Sequence, residues 1–374
     1  MNPFFLSFID SPIKVIIVGL LVSFWMTYRS LPVVVYLSFA KKIFVVPNNR
    51  SSHKTKIPNL GGIGIFIGIV FTSCIIGSAV FEYIQLTQLL ALISSLFLLF
   101  FAGVKDDINT LSPSKKLFIQ IFSTLIIVFS SDIRIYGFYG IFGIEEFPII
   151  GSYFFTIFIF ITLINAYNLI DGIDGLAGFI ALIIFGSYSY VFFENNNLFG
   201  LVISVTLIGS MIAFLLFNLT SSRRKIFMGD TGSMVVGFLI AYVSTIILNS
   251  NNLPNNISNN FPIKVIALLS FPILDTIRIF TIRILSGKSP FKADKNHMHH
   301  RLLKLGFSHI KSTLIISFFV ILVVFFSFIF SYLNVTLHFL VIAIFAFIIT
   351  LIPYFIDKKN DKWSFRVPRL PRKK

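Results

Sequence analysis

Two adjacent carboxylates, Asp106 and Asp107, close an apolar run that ends at Val104. Like charges that close repel unless a cation or a proton compensates them. The usual cation for an oxygen-only set is Mg2+, which takes few protein carboxylates and bridges to substrate phosphates. Farther on, Asn168, Asp171 and Asp174 recur at intervals of three, among Gly172, Gly175 and Gly178. On a helix or a tight turn such a series shares one face. Asp230 lies in Phe227-Met228-Gly229-Asp230-Thr231-Gly232-Ser233, just ahead of another apolar run. A helix starting after Asp230 would turn its positive end towards an anion; the plainer reading is Asp230 as an N-cap. The fourth group is His297, His299 and His300 followed by Arg301, with Lys292, Asp294 and Lys295 ahead of it. Three histidines suit Zn2+, but with Mg2+-type carboxylates elsewhere they read better as hydrogen-bonding groups for a diphosphate. Lys116, Arg278 and Arg283 are further cations for the same anion, although Asp275 and Arg278, three apart, also read as a helical ion pair. His309 and His338 read as structural.

The elements that position these groups are membrane helices. The chain is 56% hydrophobic and 12% charged, with 47 phenylalanines, whereas soluble domains carry roughly 25% charged residues. Apolar runs of about 20 residues match the hydrocarbon thickness of a bilayer. Eleven or so are expected, near 12–39, 60–81, 86–104, 116–131, 152–166, 176–193, 199–217, 232–248, 262–285, 313–333 and 336–356. Arg29 and Pro32 interrupt the first, which reads as a kinked span or a span plus an interfacial turn. Of the 31 Lys and Arg residues, 26 fall in alternate loops and the C-terminal tail. That bias makes this side cytoplasmic, and all four chemical groups lie on it. The expectation is an all-α, polytopic membrane protein with its N-terminus outside and its C-terminus cytoplasmic. Residues 1–356 would form one catalytic domain and 357–374 a basic cytoplasmic tail. The net charge of +16 reflects topology and anionic membrane lipid rather than nucleic acid. Cys74, the single cysteine, excludes an internal disulfide.

Asp106-Asp107, Asn168-x-x-Asp171-x-x-Asp174-Gly175, Phe227-Met-Gly-Asp230-x-Gly-Ser233 and His297-x-His299-His300 occur in this order over roughly residues 41 to 310. Together they resemble the polyprenyl-phosphate N-acetylhexosamine-1-phosphate transferase family. The resemblance implies a Mg2+-dependent reaction, with Mn2+ as a substitute, at the cytoplasmic face of the bacterial inner membrane. Undecaprenyl phosphate would attack the β-phosphorus of a UDP-HexNAc, giving a sugar-pyrophosphoryl lipid and UMP. It implies Asp230 as a Mg2+ ligand, with Asp106 and Asp107 serving the metal or the lipid phosphate. Asn168, Asp171 and Asp174 would shape the nucleotide pocket and Phe227 would stack on uracil. The histidines, Lys116 and the arginines 278, 283 and 301 would hold phosphates, His299 and His300 beside the reacting groups.

His-x-His-His followed by Arg301-Leu302-Leu303 is similar to the UDP-GlcNAc branch; the muramyl-pentapeptide branch differs around its histidines. Arg50-Ser51-Ser52-His53 is similar to enzymes initiating O-antigen, some of which use UDP-FucNAc or UDP-QuiNAc. One departure stands out: Thr220-Ser-Ser-Arg-Arg-Lys225 is longer than the family's usual link and lacks its proline. A homodimer is compatible with the resemblance. The competing class is a membrane transporter, but the acids gather at one face rather than mid-membrane and no inverted repeat is evident.

Overall fold

The computed structural model describes residues 11–44, 56–250, 260–287, 296–359 and 362–365. Arg50, Ser52, His53, Lys292, Asp294, Lys295 and the end of the basic tail from Arg366 lie outside them. Among the described residues ten helices are long and apolar enough to cross a membrane, or eleven if one bent pair counts as a single span. They are α1 (Pro12–Ala40), α2 (Gly61–Val80), α3 (Tyr83–Ile108), α4 (Pro113–Ser131), α5 (Ile149–Ile170), α6 (Leu176–Glu194), α7 (Leu198–Asn218) and α8 (Gly229–Leu248). The bent pair is α9 (Phe261–Leu268) with α10 (Ser270–Leu285), at 63°. A short helix, α11 (Met298–Lys304), precedes the last two spans, α12 (His309–Ile329) and α13 (Val335–Phe355). The polytopic all-α architecture is therefore as expected. The first span is one helix with Pro32 inside it, without an interfacial turn, and the tail opens as a hairpin, β1 (Ile356–Lys359) pairing antiparallel with β2 (Lys362–Phe365).

Local sequence sets the helix ends. Pro12 and Pro113 stand at first helical positions, where a missing N–H costs nothing. Asn197 and Asn334 accept hydrogen bonds from the backbone N–H groups of Gly200 and Leu337, each at 2.9 Å, a side-chain N-cap. The interior is built on close helix contacts. α8 is almost wholly buried and packs on α2, α3, α5 and α6. A Cβ on Gly62 would lie 2.1 Å from the Gly232 nitrogen, and one on Gly103 would lie 2.3 Å from the Thr231 Cα. Small residues at such crossings let backbones touch, which is how helices associate where lipid removes the hydrophobic drive. Here that contact brings the end of α3 and the start of α2 against the first turn of α8.

Candidate active site

The start of α8 is held by a carboxylate. Asp107 Oδ1 accepts from the Asp230 N–H at 2.9 Å and from Asn59 Nδ2 at 3.0 Å. Its Oδ2 accepts from the Thr231 N–H at 3.0 Å and the Thr231 hydroxyl at 2.6 Å. The helix begins at Gly229, ahead of Asp230, so Asp230 sits in the first turn and is not the N-cap. The positive helix end expected to meet an outside anion instead receives Asp107. All four lone-pair directions of this carboxylate are in use, so Asp107 anchors the first turn of α8. The segment before α8 is pinned too: the Phe227 N–H donates to the Pro58 carbonyl at 2.8 Å, and the Gly61 and Gly62 N–H groups donate to the Phe227 and Met228 carbonyls. Gly229 has φ +73°, and a Cβ there would lie 1.9 Å from the Asn59 carbonyl oxygen. Gly229→Ala is therefore expected to cost about 2 kcal/mol through backbone strain and to displace Asp230; activity per folded molecule and melting temperature, measured together, check this.

Asp106, one residue earlier, points elsewhere. Its Oδ1 accepts from the Leu111 N–H at 2.6 Å, and its Oδ2 pairs with Lys116 Nζ. The same ammonium lies 3.4 Å from Asp230 Oδ2. Asn168 Nδ2 donates to Asp230 Oδ1 at 2.5 Å and to Ser233 Oγ at 2.7 Å. Lys116 is thus a cation set between two carboxylates, and Asn168 fixes the second of them.

Asn168, Asp171 and Asp174 do not share one face. α5 continues to Ile170, so Asn168 is still helical and faces Asp230, while Asp171 caps the helix and Asp174 follows in a turn. Asp174 Oδ2 pairs with Lys225 Nζ at 2.6 Å and lies 3.3 Å from His309 Nδ1. His309, read as structural from sequence, therefore borders the site. Asn218 braces the turn, accepting from the Gly175 N–H at 2.7 Å and donating to the Ile226 carbonyl at 3.0 Å. Burial, then the negative charges of Asp230, Asp107 and Asp174, push the Asp171 carboxyl up to about 7. Lys225 Nζ lies 6.0 Å from the centroid of the Phe227 ring.

The histidines rest on a buried ion pair. Asp275 accepts from Arg278 at 2.8 Å and from the Met298 N–H at 3.1 Å, and lies 2.8 Å from His297 Nδ1. Arg278 also donates to the Asn296 carbonyl at 2.6 Å and stacks on Tyr354. A buried guanidinium must be paired, and here the helical ion pair with Asp275 lets Arg278 brace the histidine segment. Arg283 is buried over the Phe280 ring. Arg301 donates to the Pro353 and Ile356 carbonyls at 3.0 and 2.5 Å, a cation closing the C-terminus of α13.

His299 is 1% exposed, and neither ring nitrogen has a hydrogen-bond partner among the described residues. Its Nε2 faces Gly172, where a Cβ would lie 2.3 Å away. His300 packs beside it, ring centroids 4.3 Å apart. Burial, then the imidazoles of His300 and His297, push the His299 pKa down to about 3. The unfolded chain, with an ordinary imidazole near 6.5, binds more protons than the folded one between these values. Stability supported by neutral His299 is complete above about pH 6.5 and is lost as the pH falls towards 3, at about 1.4 kcal/mol per pH unit at most. Thermal unfolding followed from pH 7 to 4 should show this slope, and His299→Gln should flatten it.

The sequence profile of glycosyl transferase family 4 matches residues 89–248. A probable undecaprenyl-phosphate N-acetylglucosaminyl 1-phosphate transferase of Bacillus subtilis (strain 168) is 31% identical over 303 residues, 80% of this chain and 81% of the relative. The chain belongs to glycosyl transferase family 4. Undecaprenyl-phosphate alpha-N-acetylglucosaminyl 1-phosphate transferases of Yersinia pestis and Escherichia coli (strain K12) are each 29% identical, over 70% and 72% of both chains. The residues matched to the family 4 profile include Asp106, Asp107, Lys116, Asn168, Asp171, Asp174 and Asp230, and the histidine cluster lies beyond them.

The donor set of this family 4 site suits Mg2+. Among the described residues no three His, Cys, Asp or Glu side chains gather as a ready metal cage. Mg2+ ordinarily takes one or two carboxylates and completes its shell with phosphate oxygens and water. Asp106 and Asp230 are such a pair, bridged by Lys116, and the Asp171 carboxyl lies close enough to Asp230 to feel its charge. Lys116 already answers part of that charge from the position a cation would favour.

Proposed function

We propose that this protein transfers N-acetylglucosamine 1-phosphate from UDP-GlcNAc to undecaprenyl phosphate at the cytoplasmic membrane face, releasing UMP and starting a lipid-linked envelope glycan. One observation carries the reading: Asp106, Lys116, Asp230 and Asn168 converge from four helices at one end of the bundle. The names of its relatives supply the acceptor and the sugar phosphate. Beside this cluster, a groove of about 510 Å3 runs between α3 and α4, walled by Leu98, Phe101 and Phe118, with Lys105 and Lys115 among its lining residues. An apolar groove with lysines beside the carboxylates suits a polyprenyl chain that ends in a phosphate.

An oxygen of the acceptor phosphate would bond to the β-phosphorus of the donor. The bond from that phosphorus to the bridging oxygen breaks, and its electron pair leaves with UMP. A phosphate monoester, with its second pKa near 6, is largely dianionic at neutral pH, so no strong protein base is required. What the reaction needs is alignment and charge neutralisation. Mg2+, held by Asp230 and Asp106, would supply charge neutralisation on the diphosphate. Lys116 would draw in the anionic reactants, and Asn168 would hold Asp230 in one rotamer. Asp107 would keep the α8 turn, and therefore Asp230, in place. Asp174, Lys225 and Phe227 would border the nucleotide. His299, kept neutral by burial, would offer a ring N–H to a phosphate oxygen when the donor fills the site.

The test is mass analysis of the lipid made by purified protein from undecaprenyl phosphate and a panel of UDP-sugars. A product heavier by one HexNAc phosphate with UDP-GlcNAc supports the reading. Product only with UDP-FucNAc, UDP-QuiNAc or UDP-MurNAc-pentapeptide would keep the chemistry and replace the sugar.

A further inference from the structure

The turn between α5 and α6 is held from a distant part of the chain. The Asp174 N–H donates to His309 Nδ1 at 3.3 Å, and the Asp174 carbonyl accepts from the Thr313 hydroxyl at 2.9 Å. His309 opens α12 and Thr313 stands four residues on, so both lie on one face of that helix. Thr313 is buried there. One helix therefore binds the backbone of Asp174 on both sides of its Cα. The carboxylate of the same residue pairs with Lys225 at 2.6 Å, and that ammonium lies 6.0 Å from the Phe227 ring centroid. The placement of Asp174 by α12 thus sets where a carboxylate, an ammonium and an aromatic ring stand together.

α11 and α12 pack on each other and are joined through Gly306, at φ +91°. His299 on α11 faces Gly172, two residues before Asp174, so this corner touches the turn twice. The His309 ring has a defined task in it. A backbone N–H can only donate, so Nδ1 accepts from it, and the proton of the neutral ring then sits on Nε2. Asp174 Oδ2 also lies 3.3 Å from Nδ1, but that oxygen has the Lys225 ammonium at the shorter distance of 2.6 Å. What His309 adds at this turn is an acceptor for the backbone, and the charge partner of the carboxylate is Lys225.

We propose that His309 is a positioning residue for the nucleotide end of the UDP-sugar, an inference that rests on the UDP-sugar reading of the site. Its Nδ1, with the Thr313 hydroxyl, fixes the Asp174 backbone and so holds the Asp174–Lys225 pair beside Phe227, where the nucleotide would rest. His309 acts through Asp174 and not on the reacting phosphates, so its loss weakens donor binding and leaves the chemical step nearly intact.

The test is calorimetric binding of UDP to the purified full chain in detergent, together with KM and kcat for UDP-GlcNAc. His309→Leu removes the acceptor; UDP affinity should fall and KM rise about five- to tenfold, the scale of one hydrogen bond, with kcat within about threefold of the parent. His309→Asn puts an amide oxygen near the Nδ1 position and should restore affinity to within about twofold of the parent. His309→Gln, whose amide reaches towards the Nε2 position, should not restore it. Thr313→Val should weaken binding in the same direction, and Thr313→Ser should not. Equal UDP affinity in the parent and His309→Leu would overturn the positioning role alone, as would equal rescue by His309→Gln and His309→Asn. A fall in kcat larger than the rise in KM would also overturn it, by setting His309 among the reacting phosphates. Should His309→Leu fail to fold, equal affinities of His309→Asn and His309→Gln would still refute the role. A folded parent that binds no UDP would instead remove the UDP-sugar reading, and the proposal with it.

Discussion

Asp230→Asn is expected to leave a folded protein whose turnover is reduced at least about a hundredfold, the scale seen when one preorganised electrostatic group is removed from a reaction centre. The substitution is nearly isosteric. The asparagine oxygen can still accept from Asn168 Nδ2, which now lies 2.5 Å from Asp230 Oδ1, so the local fold survives while one negative charge is deleted. Asp106→Asn should behave similarly, because its Oδ2 shares Lys116 with Asp230. Turnover at matched protein level, with melting temperature as the control for folding, checks both. Retention of more than half the parent activity in both variants would remove the pair from the chemistry.

Asp107→Asn should act differently, first on stability. Whichever oxygen an amide NH2 replaces, it meets a backbone N–H that can only donate, that of Asp230 or of Thr231, while the Thr231 hydroxyl and the Asn59 amide must turn to accept. It also deletes the charge at the start of α8. Loss of hydrogen bonds to a charged group is expected to cost about 2–3 kcal/mol, read as a melting temperature lower by several degrees. Activity should fall as a consequence, because the anchored turn carries Asp230. Thr231→Val, which removes only the hydroxyl bond, should give a smaller shift of the same sign. An Asp107→Asn protein with unchanged melting temperature and no turnover would contradict the anchoring role and place Asp107 among the reacting groups.

Two neighbouring acids with such different duties were not separable from sequence. Both occupy the last turn of α3, but a helix turns about 100° per residue, so Asp106 faces Lys116 and Asp107 faces the start of α8. The spans themselves were legible because hydrocarbon thickness imposes a length on each apolar run. The 63° bend between α9 and α10 also had a local signal, Pro272, which has no N–H to give the Leu268 carbonyl and breaks the helix just ahead of itself. The site residues missed are those whose partners are remote in sequence: Asn59 on Asp107, Ser233 on Asn168, and Asn218 on Gly175. Asn165 and Gln120, which pair at 2.9 Å, carried a readable signal as amides inside apolar runs. Arg301 too has partners remote in sequence: the carbonyls ending α13 accept from it, and nothing local in sequence foretells which helix end folds back onto it.

The most direct test of the central claim is UMP release by the purified full chain, with UDP-GlcNAc and Mg2+, in the presence and absence of undecaprenyl phosphate. Release should require the lipid phosphate, cease when the divalent cation is chelated, and disappear in Asp230→Asn. Release that continues without undecaprenyl phosphate, or none from folded parent protein with any UDP-HexNAc, would contradict it.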